Sequence, residues 1–178
     1  MKSNPLSVVG TILLVLFFNF VQGQSFGTFA SAVWITDCNQ SNFFNTSGTG
    51  PNLIGPVGNV FEGANLGVHT QNSGTLLLRG GEVKTFKNPA SSNVCVVNMY
   101  YRIYLASATP GSFVSFNLPF LDNCNVGPNT FPSGGPCVAG DQKWQSVIPS
   151  LANLTSFSPG NYILEVYYDV EVKEPVTS

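Results

Sequence analysis

The stretch Val94-Cys-Val-Val-Asn-Met-Tyr-Tyr-Arg-Ile-Tyr-Leu105 alternates along its whole length. In steps of two, Cys95, Val97, Met99, Tyr101, Ile103 and Leu105 make an unbroken apolar face, and Val96, Asn98, Tyr100, Arg102 and Tyr104 an aromatic and polar one. A period of two belongs to a strand with one face on a core and the other toward solvent. A second stretch repeats it near the C-terminus. There Tyr162, Leu164, Val166, Tyr168, Val170 and Val172 line one side, and Glu165, Tyr167, Asp169 and Glu171 the other. Such strands need another layer over their apolar faces. The alternation predicts that Tyr101 and Tyr168 are buried, and that Tyr100, Tyr104 and Tyr167 stay substantially exposed.

Outward from these two strands the chain is rich in turn residues. Phe26 to Thr36 reads as a first strand, apolar on both faces. Residues 37–59 read as a long loop with a short extended piece at Leu53-Ile54, and Val60 to Thr70 as a strand softened by Gly63 and Gly67. Gly80-Gly81 is expected to make a tight hairpin between Thr75–Leu78 and Glu82–Phe86, a bulge in one continuous strand being the alternative. Phe113 to Leu121 reads as a strand whose end Pro119 keeps out of a sheet interior. Gln142 to Ile148 is a short strand carrying Trp144, and Leu151 to Thr155 a helical turn or bent crossover. About seven to nine short strands without an amphipathic helix predict an all-β sandwich, immunoglobulin-like or jelly-roll, with a closed barrel second.

The N-terminus reads differently. Lys2, the apolar run Val8 to Phe18 and the small-residue site Val21-Gln22-Gly23 have the layout of a secretory signal peptide. Residues 1–23 are therefore expected to be removed, leaving residues 24–178 as one β-sandwich domain, secreted or at the cell surface. The run is short for a membrane span and no second one follows, so no span is expected in the mature chain. Losing Lys2 leaves six basic residues against nine acidic ones. That balance, with no basic run, argues against nucleic acid and anionic membranes as partners.

Four cysteines, Cys38, Cys95, Cys124 and Cys137, fall in the exported part. An even number in an oxidising compartment suggests two disulfides, for which three pairings exist. The Gly/Pro-rich loop between Cys124 and Cys137 favours that local bridge, leaving Cys38 for Cys95. Zinc is the rival reading, but there is no CxxC pair and His69 is the only histidine.

Chemistry is sparsely marked. A hydrolase triad would need His69 beside a nucleophile and an acid, and no GxSxG elbow occurs. No carboxylate pair is singled out by spacing for glycoside cleavage. Asp122, Asn123, Asn125 and Asp141 could offer oxygens to calcium, yet they are also ordinary turn residues. Asn39, Asn45 and Asn153 begin glycosylation sequons. No catalytic residue, metal site or cofactor is expected. The constellation above background is the outward series Tyr100, Arg102, Tyr104, Glu165 and Tyr167, which would share one sheet face if the two strands are neighbours. Tyrosine and arginine suit recognition, and flat aromatic faces suit sugar stacking. The plainer reading is cross-strand pairing, or a face covered by residues 37–59.

Several phrases occur together along the chain: Gly27-Thr28-Phe29, Val33-Trp34-Ile35, Asn65-Leu66-Gly67-Val68 and Gly80-Gly81-Glu82-Val83-Lys84-Thr85-Phe86-Lys87-Asn88. They continue with Tyr100-Tyr101-Arg102-Ile103-Tyr104, Asn117-Leu118-Pro119-Phe120, Gly140-Asp141-Gln142-Lys143-Trp144, Pro159-Gly160-Asn161-Tyr162 and Leu164-Glu165-Val166-Tyr167-Tyr168. Across nearly the whole mature chain this resembles a module near the N-termini of large secreted surface proteins of Bacteroidota-type bacteria. Those proteins often end in a sorting domain for type IX secretion. The resemblance implies a fold and an extracellular location, but no activity. The sorting domain has no counterpart up to Ser178, so covalent attachment by that route is not implied. The expected function is a non-enzymatic structural or interaction module of adhesion or matrix type, with a glycan or another surface protein as partner. A carbohydrate-binding module using the tyrosine face is the alternative, and a small secreted hydrolase a distant third.

Overall fold

The computed structural model describes residues 26–46, 53–87, 93–123 and 141–173. Among these the chain forms eight strands: β1 (Phe26–Asp37), β2 (Gln40–Asn45), β3 (Leu76–Lys87), β4 (Asn93–Leu105), β5 (Val114–Leu118), β6 (Phe120–Asn123), β7 (Gln142–Asn153) and β8 (Tyr162–Lys173). The expected signal peptide of residues 1–23, Cys124, Asn125 and Cys137 lie outside the described residues. The two alternating stretches are neighbours, as β4 and β8 pair antiparallel from Asn93↔Lys173 to Leu105↔Tyr162. With β5 they make a three-stranded sheet ordered β5-β4-β8, facing a five-stranded sheet ordered β2-β1-β3-β7-β6. All the strand pairs are antiparallel.

The core lies between the sheets. Val33, Ile35, Leu78, Val83 and Trp144 enter it from the larger sheet, and Val97, Met99 and Leu118 from the smaller one. Full burial of each aliphatic side chain contributes roughly 1.5–3 kcal/mol, an upper bound because unfolded chains already bury some surface. Tyr168 reaches across from β8 and its hydroxyl donates to the Ala32 carbonyl at 2.8 Å. Tyr168 is nonetheless only half-buried, and so, contrary to the simple alternation that predicts both buried, is Tyr101. The reason at Tyr101 is edge cover: β5 stops pairing with β4 at Tyr101↔Val114, and Val114 itself is 51% exposed.

Five readings change on folding, each for a local reason. Gly80-Gly81 is not a hairpin; β3 runs straight through, paired with β1 on one side and β7 on the other, with a bulge between Leu78 and Gly80 against β7. Gly80 sits there at φ 135°, a conformation that side chains rarely adopt. Residues 37–59 are not all loop, because Cys38 and Asn39 turn at φ 45° and 70° and fold β2 back onto β1. Val60 to Thr70 is irregular apart from an isolated bridge between Val60 and Asn45. Leu151 to Asn153 extends β7 rather than forming a helical turn. The stretch from Val114 to Asn123 is two strands in different sheets, broken at Pro119, since β5 pairs with β4 and β6 with β7. Proline has no N–H for a ladder, so the chain changes sheets there, and the Pro119 carbonyl accepts from Gln145 N at 3.1 Å.

A further bulge between Val94 and Val96 against β8 moves Cys95 off the apolar face. Val94 is buried in its place, and Cys95 is exposed. No bridge joins Cys95 to Cys38. Cys38 lies beyond Asp37, which pairs with Leu76 at the start of β3, whereas Cys95 is near the start of β4, beyond the far end of β3. A strand of 12 residues spans on the order of 35 Å, and a disulfide needs Cα atoms within about 7 Å.

Candidate functional site

The pleat of β4 and β8 puts the five outward residues on one face of the smaller sheet, with Tyr100 opposite Tyr167 and Arg102 opposite Glu165. The two tyrosine rings stack in parallel, with centroids 4.7 Å apart and planes 4° apart. Arg102 forks onto Glu165, its Nη2 and Nε lying 2.5 and 2.6 Å from Oε2. Tyr104 donates its hydroxyl to Oε1 of the same carboxylate at 2.5 Å. The turn after β4 brings in two more groups. The Gly111 carbonyl accepts from Arg102 Nη1 at 3.1 Å, and Phe113 lies 4.2 Å under the guanidinium and edge-on to Tyr167.

Each group on this face shifts its neighbour. Hydrogen bonds from Tyr104 and then Arg102 hold the Glu165 carboxyl below the ordinary carboxylate range. The same bond, from the other side, pushes the Tyr104 phenol up. Tyr167 stays 45% exposed, while Tyr100 and Tyr104 are intermediate. Sequence reasoning brought these five residues together correctly, but not the contribution of Phe113 and Gly111, which depends on how the turn after β4 folds back. The described parts of residues 37–59 do not cross this face. They lie on the larger sheet, where β2 pairs with β1 and Ile54 packs on Ala30 and Ala32.

The larger sheet is buried on its outer side as well, and Ile54 covers the part of it at Ala30 and Ala32. Ala30, Ala32, Glu82, Lys84, Lys143 and Gln145 are buried although their neighbours along the strands face the core. Gln145 Nε2 donates to Glu82 Oε2 at 2.9 Å, and desolvation lowers the Lys84 pKa. The sequence carried one signal of this arrangement, namely the apolar character of β1 on both faces. Asn45 locks the cover in place. Its Oδ1 accepts from Ile54 N and Gly55 N at 2.9 and 2.7 Å, and its Nδ2 donates to the carbonyls of Pro56 and Asn59. An amide buried and engaged in this way is not a glycan acceptor, whatever its sequon.

His69 is a clip. Its Nε2 is 2.8 Å from the Leu66 carbonyl and its Nδ1 is 3.1 Å from Thr75 Oγ1. The nearest carboxylate oxygen, Asp37 Oδ1, is 4.0 Å from the same Nδ1. A triad needs the hydroxyl and the acid on opposite ring nitrogens; here both are on one and a backbone carbonyl holds the other. Among the described residues no group of three His, Cys, Asp or Glu could hold a metal ion. Asp122 and Asp141 sit in and beside the β6–β7 pair, where Asp122 is opposite Lys143.

Sequence reasoning missed a cleft at the end of the sandwich where β3 and β8 begin and β4 ends. It has a volume of about 640 Å³. Leu76 and Leu154 on one side and Ile103 and Leu164 on the other make its floor. Its walls are the irregular segment around Phe61 to Gln71 and the turn Phe157 to Tyr162. The missing signal is understandable, since neither wall has a periodic pattern and they are far apart in the chain. Comparison with family models, curated proteins and solved structures finds no match to this chain.

Proposed function

We propose that this chain is a secreted or cell-surface, non-enzymatic interaction module of adhesion or matrix type, which presents the outer face of its three-stranded sheet to another surface protein. The observation that supports this most is the pre-ordered lattice of Tyr100, Tyr167, Arg102, Glu165 and Tyr104 on a face that the described part of residues 37–59 leaves uncovered. Tyrosine and arginine dominate interface hot spots, and side chains already fixed lose little entropy on binding. A sugar platform on this face has weaker support, because Tyr100 and Tyr167 each turn a ring face toward the other.

The test is paired. Purified wild-type chain and Tyr167→Ala are immobilised and exposed to surface-protein fractions of the source cells, with a glycan array run in parallel. The reading expects a protein retained by wild type and lost from Tyr167→Ala, which should stay folded with a melting temperature lowered by only a few degrees. Equal retention by both, or glycan binding that depends on Tyr167, would overturn it. N-terminal sequencing of protein from the culture medium should begin within a few residues of Gln24, and recovery of the intact Met1 form from membranes would reject export with cleavage.

A further inference from the structure

The cleft at the end of the sandwich carries a second inference, independent of the tyrosine face. We propose that it binds a neutral saccharide, the terminal ring of a glycan. Its volume of about 640 Å³ falls in the range of small-molecule sites, roughly 300–1,000 Å³. The lining is mixed in a way that narrows the occupant. Phe157 and Tyr162 form a tilted pair, centroids 5.2 Å apart, on one wall, and Phe61, braced edge-on by Phe44, stands on the other. Between these rings the lining carries amides, those of Asn65, Gln71 and Asn161.

No Lys, Arg, Asp or Glu is among the lining residues. His69 has both ring nitrogens engaged by Leu66 and Thr75, so neither is free to bond a ligand. A charged ligand would therefore be desolvated without an opposite charge. A wholly apolar ligand would shut the amides away from water without partners. A pyranose avoids both costs. Its C–H faces lie against aromatic rings, and its hydroxyls both donate to and accept from amides. Asn65 already uses Oδ1 to accept from Gly67 N at 2.9 Å, which leaves its Nδ2 to donate.

The walls are fixed before any ligand arrives. His69 ties Leu66, and Asn72 N and Gly74 N both donate to Thr155, at 2.7 and 2.9 Å, joining one wall to the other. The Asn161 carbonyl accepts from Ala106 N at 2.9 Å, which anchors the turn after β4 to the turn before β8. Pre-ordered walls reduce the ordering cost of binding a small ligand.

The experiment is amide-resolved NMR titration of the mature chain with glucose, galactose, mannose, N-acetylglucosamine and their β-linked disaccharides. Glucuronate serves as the charged control and cyclohexanol as the apolar one. The proposal expects at least one neutral saccharide to shift amides of residues 65–69 and 157–164 saturably, with glucuronate and cyclohexanol weaker. Asn161→Ala and Gln71→Ala, both at exposed positions, should each weaken that saccharide about five- to tenfold while leaving the melting temperature unchanged. Three results overturn it: no shift of these amides by any neutral saccharide up to its solubility limit, stronger binding of cyclohexanol or glucuronate than of every sugar, or sugar shifts centred on Tyr100 and Tyr167. Any of these would leave Tyr167-dependent capture of a surface protein untouched, so the two readings fail separately.

Discussion

Substituting Gly81 by alanine should destabilise the protein through one contact between the sheets, and removing the Tyr168 hydroxyl should relieve it. A Cβ at position 81 would be driven into the Tyr168 hydroxyl, with the ring carbon Cζ 3.1 Å away and the Ala32 carbonyl oxygen at 2.9 Å. Overpacking of this kind costs about 1–3 kcal/mol, and displacing the tyrosine forfeits its bond to Ala32, worth about 1 kcal/mol. The single substitution should therefore cost about 2–4 kcal/mol. Tyr168→Phe alone should cost about 1–2 kcal/mol, the net hydrogen bond and any carbonyl left unpaired. In the double variant the closest clash is gone although the Ala32 carbonyl contact stays, so the two costs should fall short of their sum by about 1 kcal/mol, whereas distant sites add within about 0.5 kcal/mol. Gly80→Ala is the control. Its Cβ would meet the Ser146 carbonyl at a φ of 135°, and Tyr168→Phe should not rescue it. Urea unfolding followed by tryptophan fluorescence, with Trp144 buried in the core, reads the wild type and all five variants. Additivity of Gly81→Ala and Tyr168→Phe would refute the packing of β8 across β3 at this point.

Asn45→Ala should lose about 2–4 kcal/mol in the same assay, because it releases the backbone of Ile54, Gly55, Pro56 and Asn59 at once, and an unchanged midpoint would contradict the clamp. The carboxyl of Glu165 should titrate below its ordinary value of 4.5 in the folded chain, so its contribution to stability is present above that value and is lost as pH falls through the lower folded one. Tyr104 has the opposite arm: its phenol is raised above 10.0, so its contribution is present below that value and is lost as pH rises through the raised one. Tyr104→Phe should move the Glu165 midpoint upward in an NMR titration, and an unmoved midpoint would break the link. Peptide mapping of the non-reduced protein should find no peptide joining Cys38 to Cys95; finding one would contradict the placement of these residues at opposite ends of β3.

The alternation of β4 and β8 determined a great deal without any structure. A strand pleat leaves a residue only two faces, so parity sets Tyr100, Arg102 and Tyr104 outward on one strand and Glu165 and Tyr167 outward on the other. Only the pairing of β4 with β8 puts all five on one face. The all-β class followed from strands, turns and the lack of helical period. Parity fails where a residue is inserted, however, and a bulge leaves no mark in composition. Cys95 falls inward by parity and lies outward because of the bulge beside it, and at Gly80-Gly81 the sequence leaves a hairpin and a bulge in one continuous strand both open, of which the fold takes the bulge. Pairing partners are also invisible locally. Phe113 to Leu121 reads as one strand, and only the competition between β4 and β7 for its two halves sends them into different sheets at Pro119. The cover over the outer side of β1 and β3 and the cleft at the end of the sandwich are decided later still. They arise from segments without periodicity, such as Ile54 under its Asn45 clamp and the clipped Leu66, whose places are fixed by hydrogen bonds to residues distant in the chain. A repeating pattern encodes a face, and tertiary contacts decide what that face meets.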